Sequence, residues 1–267
     1  MSIVFEQAAA TGLTELGLTH AGSQLESIAQ QAAAEQWSYG HFLGYLLTAE
    51  LKERHTKRVE LNLQFARFPY LKRLEDFDYA AQPSIDGRLI DELTTGRYLS
   101  TGRNLLFLGP PGVGKTHLAI ALGVKVAQMG HRVYFTTAMD LARKLTKAVD
   151  ENRLHRELNA LTQPKLLIID EMGYLPFDTV QASLLFQVIC RRYQKNQSIA
   201  ITSNKAFSDW GQVFADDPIL ASATLDRLLH RSTIMNIKGD SYRLREKRKT
   251  GSFDWIEHHQ DGSTFMN

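Results

Sequence analysis

The stretch NLLFLGPPGVGKTHLAIAL, residues 104–122, constrains this chain more than any other. An apolar β-forming run leads into a glycine-rich turn, and the turn into an alanine- and leucine-rich segment. That order predicts strand, loop and helix. The loop meets the G-x-x-x-x-G-K-T pattern in full through Gly109, Pro110, Pro111, Gly112, Val113, Gly114, Lys115 and Thr116, with His117 following. Its glycines let backbone N–H groups turn inward around phosphate oxygens. The helix that follows points its positive end at the same oxygens. We therefore assign these residues to a nucleoside triphosphate with Mg²⁺. Lys115 is expected to bridge the β- and γ-phosphates and Thr116 to ligate the metal. Kinases, motors, switches and assembly clamps all use such a loop, so the rest of the chain must decide among them.

Beyond the loop, strand and helix patterns alternate. Strands are expected at 104–109, 131–136, 165–170, 198–203 and 233–237, and helices at about 115–129, 138–149, 178–194 and 219–231. Nearly continuous apolar strands imply burial on both faces, as in a parallel sheet flanked by helices. LLIIDE, Leu166–Glu171, ends in two carboxylates where ligands sit in open α/β sheets. Asp170 is expected to hold the metal through water, and Glu171 to orient and deprotonate an attacking water. At the end of SIAITSN, Asn204 is expected to contact the γ-phosphate or that water, with Ser203 as the fallback and a simple turn as the plainer reading. In LDRLLHRS, Arg227 and Arg231 are four apart and share a helix face. Spacing alone leaves open whether they reach a neighbouring subunit's phosphate or pair on the surface.

Charge is uneven along the first part of the chain. Residues 1–49 contain Glu6, Glu15, Glu26 and Glu35 and no lysine or arginine; Lys52, Arg54, Lys57, Arg58, Arg67, Lys72 and Arg73 then arrive together. Helix-forming composition predicts about three helices over residues 1–68. Ser23 with Glu26 reads as a capping box, Phe42, Leu46 and Ala49 as one apolar face, and Leu61, Phe65 and Phe68 as another, closed by Pro69. Residues 69 to about 100 show no clear period and read as a connector wrapping onto the next domain. Net charge is only +2, so affinity for an acidic partner must come from clusters. Lys52, Arg54, Lys57, Arg58 and Arg67 with Lys72 and Arg73 form one, Lys144, Lys147 and Arg153 with Arg143 and Arg156 a second, and Arg243 to Lys249 a third. Each reads either as a DNA-phosphate contact, largely sequence-independent, or as a solvated charged face.

The single cysteine, Cys190, rules out an intrachain disulfide and a multi-cysteine zinc cluster, and reads as a semi-buried helix residue. The histidines show no metal-ligand spacing, and His258 and His259 fall near the end. Trp37, Trp210 and Trp255 read as packing residues. No apolar run is long enough to cross a bilayer, and the opening MSIVFEQAAATGL lacks a basic run before an apolar stretch. A cytoplasmic protein is expected.

FPYLKRLEDFDY (68–79), GPPGVGKTHLAIALG (109–123), LLIIDEMGYLPFD (166–178), LLFQVICRRYQ (184–194), ITSNKAFSDWGQVFADD (201–217) and LDRLLHRSTIMNIKGDSYRLREKRK (225–249) together resemble the AAA+ ATPases of the DnaC and IstB branch. Within that branch the chain is most similar to the IstB-type transposition helpers of bacterial insertion sequences. The resemblance spans about residues 60–249. It implies an AAA+ P-loop NTPase core over 69–250 lacking a full helical lid, a small all-α N-terminal domain over 1–68, and a flexible tail over 251–267. It also implies Mg²⁺-dependent hydrolysis of ATP held between subunits, an ATP-dependent homo-oligomer on duplex DNA, and a transposase as partner. Residue by residue, it gives Asn204 the first sensor role and Arg227 the intersubunit arginine finger. Arg243 is a candidate second sensor. From their place before the core, Phe77 and Tyr79 are expected to flank the adenine. A DnaC-like helicase loader and a non-hydrolysing, nucleotide-gated DNA scaffold remain alternatives; a small-molecule kinase ranks last, since no acceptor site is visible.

Overall fold

A computed structural model describes residues 2–239 and 241–242. Arg243 with the third basic cluster, Trp255, His258, His259 and the 251–267 segment lie outside the described residues. The chain divides into two compact units, up to Asn62 and from Leu63 onward. No helix among the described residues is long and apolar enough to cross a membrane.

The first unit is built from α1 (Ser2–Glu15), α2 (Thr19–Ala34) and the long α3 (Tyr39–Ala66), whose last residues count with the second unit. Ala21, Leu25, Ile28 and Leu46 form its core, with Leu13, Trp37 and Phe42 packed against them. A polar clamp completes the core. The buried carboxylate of Glu50 accepts the Ala21 N–H at 2.9 Å and pairs with Arg54 at 2.6 Å. Arg54 donates its other arm to the Gly17 carbonyl at 2.7 Å. Ser23 does not cap a helix. It lies a turn inside α2, which starts at Thr19, and its hydroxyl donates to the His20 carbonyl at 2.8 Å. The expected Leu61–Phe65–Phe68 face is also corrected: Leu61 is 64% and Phe65 42% exposed, and the helix ends before Phe68. Asn62 and Ala66 are the buried pair there, and Arg67 turns the chain with φ +56°.

The second unit carries a five-stranded sheet of β1 (Asn104–Leu108), β2 (Val133–Thr137), β3 (Leu166–Met172), β4 (Ser198–Ser203) and β5 (Ser232–Asn236). Strand order is β2-β3-β4-β1-β5 and every pairing is parallel. Successive residues alternate between two faces, each covered by helices, so the strands read as unbroken apolar runs. Leu105, Phe107, Leu166 and Ile168 join one core cluster with α5 (Lys115–Gln128) and the connector; Leu106, Leu167, Ile169 and Ile201 join the other, with α6 (Ala138–Asp150), α8 (Thr179–Gln194) and α10 (Pro218–Leu229).

Three short helices fall where no period was legible. These are α4 (Gly87–Thr94), α7 (Leu154–Ala160) and α9 (Trp210–Val213). The connector is therefore ordered: Asp86 caps α4 by accepting the Arg88 N–H, and Leu74, Ile90, Leu93, Tyr98 and Leu99 are buried in the first cluster. A fully buried Arg192 ties the amino ends of β3 and β4, donating to the carbonyls of Leu161 (2.7 Å), Pro164 (3.1 Å), Lys165 (3.3 Å) and Ser198 (2.6 Å). Burial lowers its pKa to about 9, and the carbonyls supply the solvation that water would otherwise give.

Candidate nucleotide site

β4 lies between β1 and β3. The loop leaving β1 and the carboxylates ending β3 therefore flank the end of β4, at the carboxyl edge where open α/β sheets bind ligands. Gly109 to Thr116 forms a loop around Gly109 (φ +148°) and Gly114 (φ +96°), backbone states that side chains resist. A Cβ at Gly109 would sit 2.1 Å from the Ile237 carbonyl oxygen, and one at Gly114 2.6 Å from the Phe77 ring. Glycine is thus required both for the turn and for the close approach of its walls. Lys115 Nζ bonds the carbonyls of Gly109 and Pro110, each at 2.7 Å, so the ammonium arches back over the loop.

The connector supplies one wall. His117 Nε2 lies 2.9 Å from the Arg73 carbonyl oxygen, and Phe77 meets His117 edge-on at 5.1 Å. An open cavity of about 630 Å³ is lined by Tyr70, Lys72, Phe77, Gln82, Lys115 and Tyr242, a size usual for small-molecule sites. Phe77 faces it. Tyr79 instead meets Phe77 edge-on at 5.0 Å and packs on the core, so it is no flank of this cavity. On the far side of Thr116 a second cavity of about 560 Å³ is lined by Tyr70, Thr136, Thr137, Asp140, Asp170 and Glu171. Tyr70 and Thr116 line both.

Thr116 donates its hydroxyl to Asp170 Oδ1 at 2.8 Å. The paired hydroxyl and carboxylate are hard oxygen donors of the kind that Mg²⁺ prefers, and the arching ammonium suits phosphate oxygens, so the residues fit both expected ligands. Glu171 is exposed, with φ +59°. Asn204 is exposed just past β4. Ser203 is buried and donates to the Met172 carbonyl at 2.7 Å, so its hydroxyl is used in packing.

Arg227 and Arg231 are not brought to this edge. Arg231 accepts the Asn104 N–H on its carbonyl at 2.7 Å, at the start of β1, and bonds Asn196 Oδ1 at 2.7 Å. Arg227 donates to the Ala223 carbonyl at 2.8 Å and lies over the Phe186 ring at 4.9 Å. Both line a cleft with Asn104 and Asn196, a strand length (roughly 16 Å for five residues) from the phosphate loop.

The basic clusters divide by their partners. Lys57 pairs with Glu53 at 3.2 Å, Lys144 with Glu157 at 3.0 Å, Lys147 with Glu151 at 3.8 Å, and Arg153 with Glu151 and Glu157. Arg143 pairs with Asp140 and Arg54 with Glu50. Within the described residues Lys52, Arg58 and Arg67 form no ion pair, and Arg67 stacks on Tyr134 at 5.8 Å. Sequence reasoning missed Thr202, whose hydroxyl bonds both Asp170 and the Glu171 amide. No signal in the sequence marks it, because β4 comes to lie between β1 and β3 only in the folded sheet.

Residues 11–250 match the family described as IstB-like ATP binding protein. The chain is 49% identical over 239 residues to the ATP-binding protein of insertion sequence IS21 from Pseudomonas aeruginosa, spanning 90% of this chain and 89% of the relative. It is 47% identical over 222 residues to the corresponding protein of insertion sequence IS5376 from Geobacillus stearothermophilus, spanning 83% and 88%. Among solved structures, AMPPCP-bound DnaA from Aquifex aeolicus superposes with a TM-score of 0.55 at 21% identity, over 72% of this chain and 57% of that one, a likeness of fold.

Proposed function

The chain belongs to the IstB-like ATP-binding proteins of insertion sequences, and on that premise we propose that it is an ATP-hydrolysing, DNA-binding helper that prepares target DNA for a transposase. The observation that carries the hydrolytic part is the hydrogen bond from Thr116 to Asp170, with Glu171 lining the same cavity. Phe77 would flank the base, and the loop from Gly109 to Thr116 would hold the triphosphate. Lys115 leaves its own carbonyls to hold the β- and γ-oxygens. Mg²⁺, held by Thr116 and by Asp170 through water, would neutralise charge on those oxygens. Glu171 orients a water and takes its proton, and Asn204 holds that water or the γ-phosphate.

Arg227 faces away from its own site, so it serves the site of a neighbouring copy. ATP then lies between subunits, and assembly and hydrolysis are linked. An oligomer multiplies modest phosphate contacts along duplex DNA, so no single subunit needs to bind tightly. Lys52, Arg58 and Arg67 are the best-placed contacts, having no carboxylate partner among the described residues; Lys57, Lys144 and Lys147 exchange weak surface pairs for phosphate at little cost. The helical first unit and the ATPase core, which begins in space at Leu63, act as separate working parts. The origin of the relatives in insertion sequences favours a transposase over a replicative helicase as client.

Sedimentation with ATP and plain duplex DNA, read together with phosphate release, tests this reading. The expected result is a large assembly that forms only with both ligands and turns over ATP. Monomers under every condition would overturn it.

A further inference from the structure

Asp170 Oδ1 accepts two hydroxyl protons, from Thr116 at 2.8 Å and from Thr202 at 2.5 Å. Thr202 Oγ1 in turn accepts the backbone N–H of Glu171 at 3.0 Å. A hydroxyl has one proton to give, so its direction is fixed: the proton goes to the carboxylate and a lone pair receives the amide. One side chain, 1% exposed, therefore holds two successive residues of β3.

The backbone of β3 departs from regular structure at this point. Its pairing with β4 slips between Ile169 and Met172, and Glu171 takes a left-handed φ of +59°. Glutamate adopts that state only where its surroundings enforce it. The slip also removes the Glu171 amide from the ladder, and an amide next to the interior needs an acceptor. Thr202 is that acceptor. Met172 stays fully buried, whereas Glu171 is turned outward into the cavity that Thr116 and Asp170 also line.

We propose that Thr202 is a positioning residue for hydrolysis: its hydroxyl maintains the slip that turns the Glu171 carboxylate toward the attacking water while it orients Asp170. This rests on the hydrolytic reading above. Asn204 follows directly on the end of the same strand, so one element leads to both the carboxylates and the residue expected to sense the γ-phosphate.

The test uses the full chain with duplex DNA, and measures steady-state ATP hydrolysis and the affinity for a fluorescent ATP analogue. Thr202→Val keeps the shape and removes the hydroxyl; Thr202→Ser keeps the hydroxyl. Valine is expected to lower kcat by about 10²-fold, the effect of a misplaced reacting group, with analogue affinity and KM little changed. Serine should restore most of the rate. In a Glu171→Gln background, valine should add almost nothing. If the valine variant fails to fold, Thr202→Cys replaces it, and a rate below that of Thr202→Ser is expected because sulfur is the weaker hydrogen-bonding atom. A Thr202→Val or Thr202→Cys protein as fast as the parent, while Glu171→Gln is inactive, would overturn the proposal alone. A fully active Glu171→Gln protein would overturn the hydrolytic reading, and this proposal with it.

Discussion

Arg227 lays its guanidinium over the Phe186 ring, 4.9 Å from its centre, toward the amino edge of the sheet, whereas Lys115 of the same chain arches over a loop beyond the carboxyl edge. The two cations that the family resemblance assigns to one γ-phosphate thus stand at opposite ends of β1. No side-chain rotation closes a gap of about a strand length. Under the proposed function a complete site would therefore draw on two copies; within each copy Phe186 and the Ala223 carbonyl hold the arginine in place.

Lys115→Ala is expected to weaken ATP binding by about 10–100-fold, the value of a charge-assisted hydrogen bond. The fold should be little affected, because the ammonium reaches back to two carbonyls of its own loop. Calorimetric titration with ATP, alongside a thermal melt, reads both quantities.

Glu171→Gln should leave ATP affinity within a few-fold of the parent and lower turnover by about 10²–10⁴-fold, the usual contribution of a positioned base. The amide is nearly isosteric, and the left-handed backbone at this position is held by Thr202 rather than by the carboxylate. Phosphate release with saturating DNA measures it.

The strands and their helices were legible because a buried parallel strand is an apolar run of fixed length, and the loop after β1 has a near-unique spelling. α4 and α7 were not, since eight- and seven-residue helices are too short to show a period. Ser23 misled because a serine three residues before a glutamate also occurs inside a helix, where its hydroxyl can return to the preceding turn. Arg54 read as one more DNA contact. Only the three-dimensional fold brings Gly17, Ala21 and Glu50 together around it. Thr202 escaped notice because a threonine in a strand is ordinary, and its importance comes from which strand lies beside it.

Glu50 makes the first unit sensitive to acid. The Ala21 N–H, and then the Arg54 guanidinium, hold its carboxyl below the ordinary range. A carboxyl depressed in this way stabilises the fold above its unfolded pKa and loses that contribution as pH falls through the folded one. Glu50→Gln should therefore cost about 1–3 kcal/mol at neutral pH and progressively less below the ordinary value of 4.5. Hydrogen exchange in peptides from α2 and α3, compared at pH 7 and pH 3.5, reads the difference.

The salt dependence of DNA binding should separate the basic residues. Lys52→Ala and Arg58→Ala are each expected to reduce the slope of log K against log salt by about 0.9, one phosphate contact apiece. Arg153→Ala should leave it nearly unchanged, because that guanidinium already bridges Glu151 and Glu157. Titration of a fluorescent duplex at several salt concentrations distinguishes them.

The shared pocket is tested most directly by mixing two inactive proteins. Lys115→Ala subunits lack a working loop but keep their arginine; Arg227→Ala subunits keep the loop and lack the arginine. Neither should hydrolyse ATP alone on duplex DNA. Mixed in equal amounts, they should recover about a quarter of the parent rate, since that share of head-to-tail interfaces joins an intact loop to an intact arginine. A mixture no more active than its two components, though assembled on DNA to the same size as the parent, would contradict the account.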